Sequence, residues 1–340
     1  MRNRIILSVI VLLIACGESA IAGPPAGRVL GWGEGGGEQL DVASADSRRY
    51  VSVGGQELTN VIAIAARGHQ AMAVESDGRV VAWGWDAYNK GLLTVPSDLS
   101  NVTAISLAGD HNLALKADGT AVAWGYDTNS GWYDPHALLP AGLSNVVAIG
   151  SGAAYTVLLN RDGTVEKFGA PYGSPPAGLS NIVAIAKGGS ELADDLALRN
   201  DGTVVQWPSY YVNDTYTMPP GLGDVVAIAS GGSHALALKK TGTVVAWGYV
   251  TGDFMNPNYG QMNVPSGLSN VVAIAGGPAI SLAIKKDGTV TVWGDNRHHQ
   301  IDLAAGLSNI VAIAAGQDFC LAIQTNGTLP ETKIPPLGPK

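Results

Sequence analysis

One phrase, GLSNVVAIA, recurs seven times with small variations, anchored at Asn60, Asn101, Asn145, Asn181, Asp224, Asn270 and Asn309. The anchors are roughly 40 residues apart, and such a period decides the fold. An apolar run follows each copy, then a turn with glycine second, as in Asp118-Gly119, then a segment like VVAWG. Asp-Gly between apolar runs is a strong hairpin signal because the turn needs a positive φ. Several short strands per repeat predict the blades of a β-propeller.

The composition favours an all-β chain, since 46% of the residues are apolar, 14% are charged and 45 are glycine. Runs of Val and Ile broken by Gly and Pro exclude a helical solenoid. Each blade is expected to be a four-stranded meander, such as VVAIA, LALKK, VVAWG and a short outer strand like QMNVP. Antiparallel order then places the segments after Trp-Gly on one face and the Asp-Gly turns on the other. We predict a single seven-bladed β-propeller over residues 27–329.

The stretch GRVLGWG, Gly27 to Gly33, carries a third-strand pattern with no first or second strand before it. The last repeat runs LAIQTNGTLP, so Pro330 interrupts its third strand. The two fragments complement each other within one blade. We therefore predict that Val29 to Trp32 pairs with Leu321 to Gln324 and closes the ring, which removes its open edges. Residues 330–340 form a Pro-rich tail.

The N-terminus has the features of an export signal: Arg2 and Arg4 precede a short apolar core. Cleavage after Ala22 would remove residues 1–22. Alternatively, residues 1–15 form a lipoprotein signal, and Cys16 is acylated as the membrane anchor. Both routes place the body outside the cytoplasm. The other cysteine, Cys320, lies in an apolar run and is expected to be a buried filler rather than a reactive thiol.

The order V-A-I-A-x-G-x-x-H-x-L-A-L-K-x-D-G-T-V-V-A-W-G resembles the regulator-of-chromosome-condensation repeat, in the form found in secreted bacterial propellers. The resemblance covers nearly all of Gly27 to Leu329 and implies a propeller. Locally, VWGDNRHHQ at Val292 to Gln300 resembles blades of the secreted β-lactamase inhibitor protein II, which implies an inhibitor-like, protein-binding role. The exchange-factor and chromatin roles of the eukaryotic namesake are not expected in an acidic exported chain.

Aromatic residues are concentrated between the Trp-Gly pairs and the next repeats, interspersed with Asp and Asn. Such a rim is typical of a protein-binding hot spot or a sugar-stacking surface. Our candidate binding residues are Trp85, Tyr88, Tyr126, Trp132, Tyr133, Tyr210, Tyr211, Tyr216, Tyr249, Phe254 and Tyr259. The competing interpretation is that these loops fold back and pack their own aromatic rings against the blades. The regular tryptophans of VVAWG are expected to be buried between blades.

These patterns favour a monomeric, non-enzymatic scaffold that binds a protein, with a glycan or cell-wall binding module as the alternative. The formal charge is −8 with no basic cluster, so nucleic acid is not an expected partner. A hydrolase or lyase using Asp194, Asp195 or His299 is the third hypothesis.

We expect no cofactor and no metal. The adjacent pair His298 and His299 lacks a third ligand, and Asp127 to Pro135 lacks the closing glutamate of a calcium loop. The acidic residues Glu191, Asp194 and Asp195 are expected to be solvated. His111 and His234 recur at the repeat period and are expected to brace turns by donating to backbone carbonyls.

Overall fold

The repeats fold into small antiparallel sheets in the computed structural model. It describes residues 26–34, 48–86, 90–125, 139–140, 142–152, 155–169, 173–187, 194–208, 217–248 and 258–326. The strands are β1 (Arg28–Gly33), β2 (Arg49–Tyr50), β3 (Ser52–Val53), β4 (Gln56–Glu57), β5 (Val61–Arg67), β6 (Gln70–Glu75), β7 (Val80–Gly84), β8 (Val102–Leu107), β9 (Asn112–Lys116), β10 (Ala121–Trp124), β11 (Val146–Ser151), β12 (Tyr155–Asn160), β13 (Val165–Gly169), β14 (Ile182–Ala186), β15 (Asp195–Arg199), β16 (Val204–Trp207), β17 (Val225–Ser230), β18 (His234–Lys239), β19 (Val244–Gly248), β20 (Val271–Gly276), β21 (Ile280–Lys285), β22 (Val290–Gly294), β23 (Ile310–Ala315) and β24 (Phe319–Gln324).

Seven sheets correspond to the seven predicted blades. Blades 1 to 6 take three consecutive strands each, from β5–β7 through β20–β22, and blade 7 has the order β2-β1-β24-β23. The first strands of neighbouring blades contact one another around the whole ring, including β23 against β5. These strands therefore line the central axis. The all-β, seven-bladed prediction is confirmed.

The ring is closed by pairing between the two ends of the chain, as predicted. Strand β1 lies antiparallel to β24, with Val29 opposite Ile323 and Trp32 opposite Cys320. The ladder extends from Arg28 to Gly33, slightly beyond the predicted segment. Val29, Leu30 and Trp32 are all 0% exposed, so this strand belongs to the core. Cys320 is buried in the same blade, as expected of a filler.

The sequence did not reveal a second fastening beside this strand. β2 pairs with β1 as a fourth strand, and the small hairpin β3–β4 follows. The buried Arg48 donates through Nη1 to the carbonyl oxygens of Leu303 (3.1 Å) and Ala305 (2.8 Å). The guanidinium thus ties blade 7 to the segment that follows blade 6.

The predicted outer strand in every blade is wrong for the described residues outside blade 7. The segment QMNVP, residues 261–265, forms a turn in which the Asn263 amide donates to the Gly260 carbonyl (2.8 Å). The Gln261 carbonyl is bonded to side chains of blade 6 instead of to the third strand of its own blade. Its backbone is therefore satisfied without a fourth ladder.

The recurring asparagine and the turn glycine meet where one blade joins the next. All seven anchors adopt a positive φ of 55–65°, including Asp224 at 55°. Gly288, at φ 78°, lies against Asn309, and the Ile310 amide donates to the Gly288 carbonyl (3.0 Å). Glycine is required there both by the φ angle and by the close approach. In the closing blade Gly27 takes the place of the turn glycine, and it exchanges two backbone hydrogen bonds with Val61.

Residues 1–22 with Cys16, and the tail 330–340, lie outside the described residues, so the export and tail predictions remain predictions. Apart from strands and turns, the described residues contain a short 3-10 helix, Asp302–Ala304. In this part of the chain no helix has the length and apolarity needed to cross a membrane.

Candidate functional site

The third strands all end on one face of the disc, and we call this the upper face; the Asp-Gly turns lie on the opposite, lower face. Of the candidate binding residues, the structure describes Trp85 and Tyr259, both on the upper face. The others lie outside the described residues: Tyr88, Tyr126, Trp132, Tyr133, Tyr210, Tyr211, Tyr216, Tyr249 and Phe254. Whether the aromatic residues form one contiguous patch therefore stays a prediction.

Trp85 is 52% exposed, and it is the one aromatic side chain among the described residues that is more than half exposed. Its backbone is nevertheless fixed, because its amide donates to the His69 carbonyl (3.0 Å) and its carbonyl accepts from Gln70 Nε2 (3.2 Å). The His69 ring lies 5.7 Å from the indole at an interplanar angle of 55°. A solvent-facing indole on a fixed backbone provides contact area while the backbone pays little entropic cost on binding.

Tyr259 lies half-buried under the Arg297 guanidinium, whose carbon is 4.4 Å from the ring centroid. Arg297 is held in turn by Asp295, with Nη2 to Oδ2 at 2.6 Å. Burial alone would raise the pKa of Asp295, but its hydrogen bonds and charge interaction with Arg297 bring it below the ordinary value. The carboxylate therefore stays charged and orients a cation–π pair at the surface.

The histidine pair does not form a metal centre. The two ring nitrogens of His298 face different carboxylates of blade 7: Nδ1 contacts Glu34, and Nε2 lies 3.4 Å from Asp318. His299 Nδ1 bonds Asp302 Oδ2 at 3.0 Å, and this bond lowers the pKa of Asp302. Within the described ranges no three His, Cys, Asp or Glu side chains are grouped to hold a metal ion.

The regular tryptophans are buried, as predicted. Trp83, Trp124, Trp207, Trp247 and Trp293 are between 3% and 7% exposed, and Trp32 is 0% exposed. Their burial separates them from Trp85, which occupies the surface just beyond one of them.

The two repeat histidines differ from the prediction. They do not donate to carbonyls of their own turns but cross to the next blade: His111 Nε2 lies 2.9 Å from Thr156 Oγ1, and His234 Nε2 lies 2.8 Å from Ser281 Oγ. Both rings are buried. Burial lowers the pKa of His234 to about 4, so this imidazole is neutral at physiological pH. These residues join blades and offer no reactive group to the surface.

Two of the acidic residues expected to be solvated are buried: Asp194 is 2% exposed and Asp195 is 1% exposed. Between blades 3 and 4, Asp195 accepts from Tyr155 OH (2.6 Å) and pairs with Lys187 Nζ (3.0 Å). Lys187 is itself only 2% exposed. The carboxylate charge is thus compensated inside the protein by a neighbouring ammonium group. The third acidic residue, Glu191, lies outside the described residues.

Sequence reasoning missed Lys187, although a signal was available. Gly150 and Gly152 in blade 3 leave the space that its side chain occupies. A Cβ on Gly152 would lie 2.2 Å from the lysine Cε. Most other repeats have a small residue at the position of Lys187, after the first strand. A lysine there, beside a blade with glycines at the facing positions, could have pointed to the Lys187–Asp195 pair.

The family model of the regulator of chromosome condensation (RCC1) repeat matches residues 225–261 and 271–300. Prp20p from Saccharomyces cerevisiae has a similar fold, with a TM-score of 0.68 at 16% identity, over 91% of this chain and 93% of that one. Human WBSCR16 gives 0.62 at 16% identity, over 88% of this chain and 99% of that one.

The ectodomain of the receptor kinase CR4 from Physcomitrella patens gives a TM-score of 0.60 at 18% identity, covering 78% of this chain and 71% of that one. Among curated proteins, none matches the sequence. Identities this low establish the fold alone. The chain is therefore a β-propeller, and its residues 225–261 and 271–300 match the RCC1 repeat.

Proposed function

We propose that this chain is a non-enzymatic, extracytoplasmic propeller whose upper face binds a protein partner. The observation that carries the proposal is Trp85, which is 52% exposed although its backbone N–H and C=O are both hydrogen-bonded. Tryptophan, tyrosine and arginine dominate binding hot spots, and the Tyr259–Arg297 pair adds the other two types to the same face.

The described polar groups of this face are arranged for contact rather than for catalysis. Asp295 is engaged by Arg297, Asp302 by His299, and Asp110 by Lys90. The pairs are already satisfied by structural neighbours, whereas an acid or base must be able to reach a substrate proton. This supports a binding role over a hydrolase or lyase.

The solved propellers offer a precedent in protein binding. Prp20p has been characterised for its binding to Gsp1p and histones, and yeast RCC1 (Prp20) has been crystallised bound to Kap60. At 16% identity these partners are not transferred to this chain. The precedent supports only the use of this fold to bind proteins.

The test is capture of a partner from the secreted and envelope fractions of the producing cell, followed by affinity measurement with purified components. Trp85→Ala and Tyr259→Ala should each weaken binding by on the order of tenfold or more. The matched control is Val272→Ala, since Val272 is 50% exposed on the lower face. The same measurement extends to Trp132, Tyr133 and Tyr211.

Unchanged affinity for both upper-face variants would reject the proposal. Retention on polysaccharide or peptidoglycan columns, lost in Trp85→Ala, would instead establish the glycan-binding alternative. Localisation is tested separately by fractionating cells that express the wild type or Cys16→Ala. Recovery of the wild type in the cytoplasm would reject the extracytoplasmic part of the proposal.

A further inference from the structure

The buried third-strand tryptophans reach beyond their own blades. In four blades the indole N–H donates to a backbone carbonyl in the upper-face segment of the preceding blade. The bonds run from Trp124 to Leu92 (3.1 Å), Trp207 to Gly173 (3.2 Å), Trp293 to Gln261 (2.9 Å) and Trp32 to Gln300 (2.8 Å). Each carbonyl lies after the preceding Trp-Gly pair or its equivalent, in the part of the repeat that varies most in length.

At two of these carbonyls a second donor converges from the adjacent strand. Asn112 Nδ2 donates to the Leu92 oxygen (2.8 Å), and Ser281 Oγ donates to the Gln261 oxygen (2.8 Å). Asn112 is the strand partner of Trp124, and Ser281 is that of Trp293. A carbonyl oxygen has two lone pairs, so both donors can be accommodated at once. The segment is thus clamped at one backbone atom by two side chains of the next blade.

These two clamps are connected by hydrogen bonds to the segments that carry the exposed Trp85 and the half-buried Tyr259. The Leu92 amide donates to Asp86 Oδ2 (3.1 Å), and Asp86 follows Trp85 in the chain. On the other side, the Gln261 side chain accepts from the Tyr259 amide (2.9 Å). One hydrogen bond therefore connects Leu92 to the residue after Trp85, and one connects Gln261 to Tyr259 itself.

We propose that Trp124 and Trp293 are positioning residues of the upper face: each holds in place the aromatic residue presented by the preceding blade, Trp85 and Tyr259 respectively. The inference rests on the proposed function for its biological meaning. Its structural part stands on the hydrogen bonds alone. Preorganisation of this kind lowers the entropic cost of binding without adding a contact to the partner.

Trp83 supplies a matched control. It occupies the same strand position and is 6% exposed, but its indole nitrogen has no hydrogen-bond partner among the described residues. Trp→Phe at all three positions removes the same atoms from a buried site. Of these three changes, and among the residues that the structure describes, only those at Trp124 and Trp293 also remove a hydrogen bond to an upper-face segment.

The experiment compares Trp293→Phe and Trp83→Phe by hydrogen exchange, read by mass spectrometry on peptides covering residues 258–264. Loss of one hydrogen bond should speed exchange in this segment by on the order of fivefold in Trp293→Phe, with the blade strands unchanged. Trp83→Phe should leave it at the wild-type rate. Equal exchange in the two variants would overturn the proposal. If Trp293→Phe fails to fold, Ser281→Ala removes the other donor to the same oxygen and is read in the same way.

Affinity for the captured partner then separates this inference from the proposed function. Weaker binding by Trp293→Phe, relative to Trp83→Phe, supports positioning. Faster exchange with unchanged affinity, while Tyr259→Ala does lose binding, rejects the positioning role although the binding face stands. If Tyr259→Ala and Trp85→Ala both bind as the wild type does, the proposed function fails, and exchange alone decides whether the clamp exists.

Discussion

His234 should make the protein less stable as the pH falls. The imidazole is fully buried, and Ser281 already donates its hydroxyl hydrogen to the Gln261 carbonyl, so Ser281 must accept from His234 Nε2–H. The ring is therefore neutral with its proton on Nε2. Nδ1 has no hydrogen-bond partner among the described residues, and a Cβ added to Gly231 would lie only 2.5 Å from it. A second proton on Nδ1 would be a buried charge without an acceptor.

The size of the effect follows from the two pKa values. Burial lowers the pKa of His234 to about 4, whereas an unfolded histidine titrates near 6.5. Between these values the unfolded chain binds more protons, so the free energy of unfolding decreases as the pH falls. The contribution of this one residue is a loss of about 2 kcal/mol between pH 7 and pH 5. The stabilisation is fully present above pH 6.5.

The assay is urea unfolding of the wild type and His234→Gln at pH 7 and pH 5. Glutamine can still donate to Ser281 but does not titrate. Altered packing can change the stability of the variant at pH 7. Its loss of stability between pH 7 and pH 5 should nevertheless be about 2 kcal/mol smaller than that of the wild type. Equal losses in the two proteins would refute the assignment of a neutral, buried His234.

Three further changes test the architecture. Deleting residues 27–33 should lower the free energy of unfolding by about 6 kcal/mol or more, since three fully buried side chains leave the core. Removing residues 331–340 should leave the melting temperature nearly unchanged, and equal melting temperatures for the two deletions would contradict ring closure. Asn270→Val, at φ 57°, should lose about 1–2 kcal/mol in urea unfolding, and Asn270→Gly should lose much less. Lys187→Met should lose about 3–5 kcal/mol by leaving the buried Asp195 unpaired, and adding Asp195→Asn should recover part of that loss.

The architecture could be predicted because one pattern is repeated seven times. Each copy gives the same strand order, and a broken copy at each end leaves pairing between Val29 and the last repeat as the natural way to complete the ring. The buried tryptophans followed from the same periodicity. In contrast, the hairpin β3–β4 and the Arg48 fastening occur once in the chain, so the repeat carries no information about them.

The site was less predictable because it depends on where single side chains meet across blades. The place of Trp85 after Trp-Gly put it on the candidate face but left open whether its ring is exposed or packed against the blades. The hydrogen bonds of its backbone to His69 and Gln70 also require the folded turn. Asp195 was expected to be solvated because acidic residues in loops usually are. Its partner Lys187 lies in a different part of the repeat, and only the register of the strands brings the two together.

The seams between blades differ in chemistry, although the strands that form them repeat. At several seams, the residue that ends the turn between the first and second strands of one blade faces the next blade. The residue that it meets there is the cross-strand partner of the tryptophan position. Polar side chains meet polar ones in three seams: His111 with Thr156, Tyr155 with Asp195, and His234 with Ser281. At the corresponding positions of blades 6 and 7, Ile280 and Phe319 belong with Cys320 and Ala71 to one apolar cluster. A blade moved to another seam would bury an unpaired donor or acceptor against an apolar neighbour, at a cost of about 1–3 kcal/mol for each group left unsatisfied. The backbone pattern thus specifies a blade, and the seam side chains match each blade to the neighbour that the chain places beside it.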